Sequence, residues 1–103
     1  MQNIIQKLTE NVQAIYRKAI DADEAIGKLQ HSGKGKFATI FSLDAGFTVQ
    51  SKYFKPYVEE LAQEVAALAK LEDEQLKQAL PQLVKKIEQM FSTLSQFQLS
   101  LKH

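Results

Sequence analysis

The sequence predicts an all-α fold: a compact bundle of four to five antiparallel helices, formed by a single domain over residues 1–103. Three observations predict it. Apolar residues recur every three or four positions in the segments that begin the chain, follow residue 53 and close the chain. No internal repeat, low-complexity tract or linker interrupts the sequence. A length of 103 residues is near the commonest domain size and is sufficient for one modest core.

The first predicted helix carries one apolar stripe on a 3.6-residue period. A second, short helix is expected next, because Asp21 and Glu24 have the spacing of a capping pair. It should end near His31–Gly33, where glycine can adopt the left-handed conformation that closes helices. The apolar stripe of the first predicted helix consists of Ile4, Leu8, Val12, Ile15 and Ala19.

Residues 37–50 are compatible with two conformations. Phe37, Ile40 and Phe41 suit one or two helical turns, which Gly46 would close. A β-hairpin of "KFATIF" and "FTVQS" around "SLDAG" is the alternative. We expect Phe37 and Phe41, together with Phe54, to lie in the core.

Two further helical stretches follow. Pro56 is expected in the first turn of one of them, where the missing N–H costs little. Pro81 should kink the other or divide it in two. The apolar positions of the first are Phe54, Val58, Leu61, Val65 and Leu68, and those of the second are Leu76, Leu80, Leu83, Ile87, Phe91 and Leu94.

Composition excludes several classes of protein. The formal net charge of +1 argues against a protein that coats nucleic acid by charge alone. Without cysteine, disulfides and thiolate catalysis are excluded. No apolar run approaches the roughly 20 residues that span a bilayer, so we expect a soluble, cytoplasmic protein that does not enter membranes. Charges are uneven: residues 28–55 are mainly basic and residues 59–74 mainly acidic, which indicates either a polarised surface or two solvated faces.

The stretch "HSGKG" at residues 31–35 can be compared with two known phosphate-related motifs. It does not fit a phosphate-binding loop, because Gly27 and Gly33 have the wrong separation and Lys34 precedes a glycine. It matches the H-x-x-K-G pattern of histidine phosphotransfer domains, with His31 as the phosphorylated residue and Lys34 beside it. In that family the histidine lies within a helix, which Gly33 would weaken. A loop histidine without a special role is the alternative.

Other chemistry finds little support in the sequence. Glu59, Glu60 and Glu64 share helical spacing, but carboxylates on one exposed face usually serve solubility. No zinc-protease, Glu-x-x-His or nucleophile-elbow motif is present. With two histidines, one of them terminal, we expect no metal centre, no cofactor and no enzymatic activity.

Lysines and aromatic residues lie close together in the middle of the sequence. Lys34 and Lys36, flanked by aromatic rings, would provide a weak site for single-stranded nucleic acid by charge and stacking. Tyr53 and Tyr57 lie one helical turn apart beside two further lysines, so we expect both rings to be partly exposed.

Four segments together resemble the N-terminal domain of the PriC family of primosomal replication proteins. They are "IIQKLTENVQAIYRKA", "KFATI", "GFTVQSKYFKPYVEELAQEVAAL" and "LPQLVKKIEQM", in the family's order. The resemblance covers most of the chain. The region between Ala19 and Lys36 is longer than the family pattern, and the arginine-rich C-terminal region associated with single-stranded DNA binding is expected to be missing.

The resemblance implies a non-enzymatic adaptor in replication restart. Such a protein would work with the single-stranded DNA-binding protein SSB and help to load the replicative helicase DnaB. The acidic C-terminal tail of SSB ends in an apolar residue, so its site would need a cation beside a hydrophobic notch. We assign this partner site to Lys52, Tyr53, Lys55 and Tyr57.

Overall fold

Three α-helices lie side by side in residues 2–31 and 39–101, the parts of the chain that the computed structural model describes. They are α1 (Gln2–His31), α2 (Lys55–Leu68) and α3 (Asp73–Leu101), and a 3-10 turn occupies Leu43–Ala45. These residues contain no strand. The all-α prediction is confirmed, whereas the predicted number of four to five helices is wrong.

The helix boundary that the sequence predicted near Asp21 does not occur, and neither does the division of α3 that was one of the two alternatives at Pro81. The buried stripe of α1 continues through Ala19, Ala22 and Ile26, so no break forms at Asp21. Helix α3 passes through Pro81 without dividing. A proline inside a helix costs about 3 kcal/mol, but the buried leucines on either side of it pack against the same core and offset that cost.

Consecutive helices of the bundle are antiparallel. Near one end of the molecule Asp23 of α1 meets the first residues of α2, and near the other end Ile5 lies beside Leu68. Phe54 contacts Phe97 near the end of α3, which makes α2 antiparallel to α3 as well. Helices α1 and α3 therefore run parallel, and α2 lies antiparallel to both.

The core runs along the common axis of the three helices. The segment that precedes α2 contributes Phe41, Phe47 and Phe54 to it, so the predicted burial of Phe41 and Phe54 is confirmed. Phe37 lies outside the described residues. The largest fully buried side chains are Tyr57, Phe54, Ile15, Ile26, Leu61, Met90, Leu94 and Val58.

Residues 39–54 form an irregular segment that packs along α2 and α3, with Ile40 beside Phe97 of α3 and Ala45 beside Leu68 at the end of α2. The predicted helical turns are reduced to the 3-10 turn, which Gly46 ends at φ 97° as predicted. The alternative hairpin is absent from the described residues, although the Ile40 N–H donates to the Ser51 carbonyl at 2.9 Å. A single backbone hydrogen bond cannot hold two extended chains together. The conformation of this segment therefore depends on its contacts with the helices.

Candidate functional site

The turn that leads into α2 is fixed by side chains from two helices. The Asp23 carboxylate of α1 accepts hydrogen bonds from the backbone N–H groups of Phe54, at 2.6 Å, and Lys55, at 3.0 Å. These donors belong to the first turn of α2, where N–H groups have no partner within the helix. A negative charge at this position is also favoured by the helix dipole. Asp23 therefore caps α2 from a neighbouring helix.

A small notch opens beside this turn, where α1, α3 and residues 40–54 meet. Its volume is about 300 Å³. Apolar side chains dominate its lining, while Thr93 and Gln96 add polar groups and exposed Lys52 adds a cation. The residues that line this Lys52 notch are Ile26, Ile40, Lys52, Phe54, Thr93, Gln96 and Phe97.

Lys52 is free to contact a partner. In the described part of the chain its ammonium group takes part in no hydrogen bond or ion pair. A cation without a protein partner beside an apolar cleft can bind a carboxylate whose neighbouring group is apolar.

The other residues assigned to the partner site have different environments. Tyr53 is 36% exposed, and its hydroxyl donates to Gln30 Oε1 at 3.1 Å. Lys55 is exposed at the first position of α2 but does not line the notch. Lys34 and Lys36, assigned to nucleic acid, lie outside the described residues. Of the assigned cations, only Lys52 is placed by the described residues at the notch.

The expected exposure of Tyr57 is wrong, because its side chain is completely buried. Its ring packs edge-on against Phe41 at 5.0 Å and Phe47 at 5.1 Å between centroids. Its hydroxyl accepts from the Ser51 N–H at 3.0 Å and donates to the Ser51 carbonyl at 3.2 Å. Buried in this way, Tyr57 cannot touch a partner directly; it holds in place the turn that carries Lys52.

A second polar cluster was not predicted from the sequence. In this Glu60 network, formed by Thr48, Glu60, Glu64 and Lys86, the Glu60 side chain is only 10% exposed. It accepts from the Thr48 hydroxyl at 2.6 Å, from the Thr48 N–H at 2.9 Å and from the Val49 N–H at 3.0 Å. Lys86 Nζ donates to the other oxygen of Glu60 at 3.0 Å and also to Glu64.

The hydrogen bonds to Glu60 outweigh the cost of its burial. Burial by itself raises the pKa of the Glu60 carboxyl, but the bonds from Thr48, Lys86 and Val49 lower that pKa from 4.5 to about 2. Lys86 also lies over the Phe47 ring, 4.5 Å from its centroid. Every charge of the network thus has its partner inside the protein, which indicates a structural role: it joins residues 48–49 to α2 and α3.

The prediction that Glu59, Glu60 and Glu64 form one solvated face is wrong for Glu60. Glu59 is exposed, whereas Glu60, one residue later, faces α3 and Lys86. A signal for the lysine exists in the sequence. Lys86 lies three residues after Leu83 and four before Met90, so helical spacing places it on the core side.

His31 is the last residue of α1 and is exposed. The C-terminal end of a helix dipole is negative, so this position is electrostatically unfavourable for a phosphoryl group. Lys34, the partner in the H-x-x-K-G pattern, lies outside the described residues. Residues 2–31 and 39–101 contain no group of three or more side chains suited to hold a metal ion.

Comparisons with known proteins give no match to a family model, a curated protein or a solved structure. None of the described helices combines the length and apolar content needed to cross a bilayer. Two features remain to indicate a function: the chemistry of the notch and the resemblance in sequence.

Proposed function

We propose that this protein is a non-enzymatic adaptor of the PriC type, acting in the cytoplasm during replication restart. It would bind SSB at stalled forks and position the replicative helicase DnaB there. The observation that supports this proposal is the Lys52 notch, which joins an unpaired cation to an apolar cleft. The mechanism is recruitment by binding, with no bond made or broken.

The chemistry of the notch suits the end of an acidic tail. A terminal carboxylate would pair with Lys52, and the apolar side chain beside it would enter the cleft and pack against Ile40 and Phe97. Thr93 and Gln96 offer hydrogen bonds to the peptide backbone. A cleft of about 300 Å³ holds one large side chain and little more, so we expect a short peptide to bind weakly.

Charge would help such a tail to approach. Lys55 is exposed three residues after Lys52 and has no ion pair in the described residues. Acidic residues before the tail's last positions would be attracted to Lys55, mainly by long-range steering that salt weakens. In the proposal, Lys34 and Lys36 add only a weak contact with single-stranded DNA.

A different part of the surface would be left for the helicase. Glu72, Asp73 and Glu74 are exposed where α2 turns into α3. The end of α2 at which they lie is the opposite one from Lys52 and Lys55. We propose that SSB uses the basic end, so that DnaB can be bound at the same time elsewhere on the bundle.

A titration with a peptide of the SSB tail tests this proposal. Amide NMR spectra of the labelled protein should show saturable shifts at Ile40, Lys52, Thr93 and Gln96. The same peptide without its terminal apolar residue should produce much smaller shifts, because the cleft would stay empty. Saturable shifts confined to other residues would contradict the assigned site, and no shifts at millimolar peptide would contradict tail binding by this protein.

Charge reversal sharpens the test. Lys52→Glu should weaken peptide binding about fivefold, equivalent to about 1 kcal/mol, and the double variant Lys52→Glu/Lys55→Glu should weaken it further. Lys77→Glu is the matched control, since Lys77 is an exposed lysine on α3 that does not line the notch. Equal affinities for all three variants would show that Lys52 does not contact the peptide.

A further inference from the structure

A second groove, between α1 and α2, is lined by residues that the proposed function does not use. This outer groove has a volume of about 450 Å³. It shares no lining residue with the Lys52 notch. Its lining residues are Val12, Gln13, Tyr16 and Arg17 from α1 and Val58, Glu59 and Ala62 from α2.

The outer groove is bordered by apolar side chains that solvent reaches. Tyr16 is 40% exposed, and Ile20, one helical turn further along α1, is 46% exposed. On the opposite side Ala62 is exposed too, and its small side chain leaves the backbone of α2 open to close approach. Buried Val12 and Val58 form the floor. Such a surface resembles the apolar centre of a small interface.

Each wall of the outer groove also carries one charge. Arg17, the single arginine in the sequence, stands on the α1 wall, and Glu59 stands on the α2 wall. Within the described residues neither of them forms an ion pair. A partner that carries only one sign of charge would be attracted to one of these two side chains and repelled by the other. A surface that carries opposite signs on the two walls of one groove can be complementary to itself.

From this arrangement we propose that the outer groove is the interface of a symmetric dimer, in which a second copy of this chain is the occupant. A two-fold axis along the groove places α1 of one copy over α2 of the other. Arg17 then faces Glu59 of the second copy, and the reciprocal pair forms by symmetry. The two Tyr16 rings and the alanines of α2 meet at the centre.

The size of the outer groove sets the expected strength. Interfaces of small area are weak and reversible, so the dissociation constant should lie roughly between 10 µM and 1 mM. Sedimentation velocity over a series of concentrations should show a monomer–dimer equilibrium in this range. A protein that remains monomeric at about 1 mM would overturn the proposal.

Charge exchange tests the pairing itself. Arg17→Glu and Glu59→Arg should each raise the dissociation constant about tenfold or more, because symmetry makes each substitution act twice. The double variant Arg17→Glu/Glu59→Arg should restore it to within about threefold of the original value, since the two signs are only exchanged. Dimerisation that both single variants leave unchanged, or that the double variant fails to restore, would contradict this interface.

Two further variants separate the interface from general effects. Lys18→Glu changes an exposed lysine next to Arg17 that does not line the groove, and it should leave the dissociation constant unchanged. Tyr16→Ala removes the apolar centre and should abolish the dimer. Circular dichroism of each variant must show an intact fold. Peptide binding at the Lys52 notch is measured separately. Absence of a dimer would therefore not contradict the proposed function, and absence of peptide binding would not contradict the dimer.

Discussion

The Glu60 network and the Lys52 notch both contain charged side chains close to aromatic rings, but they differ in where the charges find partners. Glu60 receives its hydrogen bonds from Thr48, Val49 and Lys86, all within the protein. Lys52 has no such partner in the described residues and faces solvent at the edge of a cleft. A charge that is paired inside the fold is costly to separate from its partner and so has a structural role, whereas one left open beside apolar surface is available for binding.

The two regions are nevertheless joined through residues 47–54. The Glu60 network fixes the beginning of this segment at Thr48 and Val49. Tyr57 and Asp23 fix its end, at Ser51 and Phe54. Lys52 lies between these anchors. The satisfied polar groups thus hold the unsatisfied one in a defined place.

The largest effect is expected from Glu60→Ala. It leaves the N–H groups of Thr48 and Val49 without their acceptor and removes one of the two partners of Lys86, so the free energy of unfolding should fall by about 3 kcal/mol. Urea denaturation followed by circular dichroism measures this loss. Glu59→Ala, one residue away, is the control, and it should change stability by less than about 0.5 kcal/mol because Glu59 is exposed. Both variants are measured at low protein concentration, so that the proposed dimer does not contribute. Similar losses for both variants would contradict the structural difference between these neighbours.

Acid should weaken the same network. A carboxyl group whose pKa is lower in the folded state binds fewer protons there than in the unfolded chain, so the stabilisation is fully present above the unfolded pKa and decreases as the pH falls. For Glu60 the pKa is about 2 in the fold against 4.5 as the usual value. The loss should therefore occur between about pH 5 and pH 2 and reach roughly 3 kcal/mol.

The contribution of Glu60 can be isolated from that of other acids by comparing pH series. In Glu60→Gln the amide does not titrate, so the difference in free energy of unfolding between the original protein and this variant should shrink steadily below about pH 5. A difference that stays constant down to pH 2 would show that the Glu60 carboxyl has an ordinary pKa.

Much of the fold follows from periodicity in the sequence, because burial of an apolar stripe dominates helix packing. The stripes of α2 and α3 and the position of Pro56 in the first turn of α2 were predictable for this reason. The continuity of α1 past Asp21 was not, since a capping pair has the same residues whether or not the helix breaks there. Asp23 caps a different helix, more than 30 positions later, and no local pattern encodes that contact.

The candidate site was predictable only in part. Lys52 was identified by its charge and its neighbours, and the structure places it at an apolar notch. Tyr57 was misjudged from its neighbour Lys55, although its spacing of four residues to buried Leu61 was a signal for the core side of α2. The walls of the notch come from residues 26, 40 and 93–97, which are distant in sequence and meet only through the packing of three helices.

The two tyrosines provide the smallest and most specific test of this contrast. Tyr57→Phe keeps the buried ring but leaves the Ser51 N–H without an acceptor, while the Ser51 carbonyl still accepts from the Ile40 N–H. Stability should fall by about 1 kcal/mol, and the Ser51 amide should exchange with deuterium about fivefold faster or more. Tyr53→Phe removes only an exposed hydrogen bond to Gln30 and should cost less than about 0.5 kcal/mol. If Tyr57→Phe left both stability and Ser51 exchange unchanged, the turn that carries Lys52 would be held by its other contacts, and the link between the fixed and the open region would not run through the tyrosine hydroxyl.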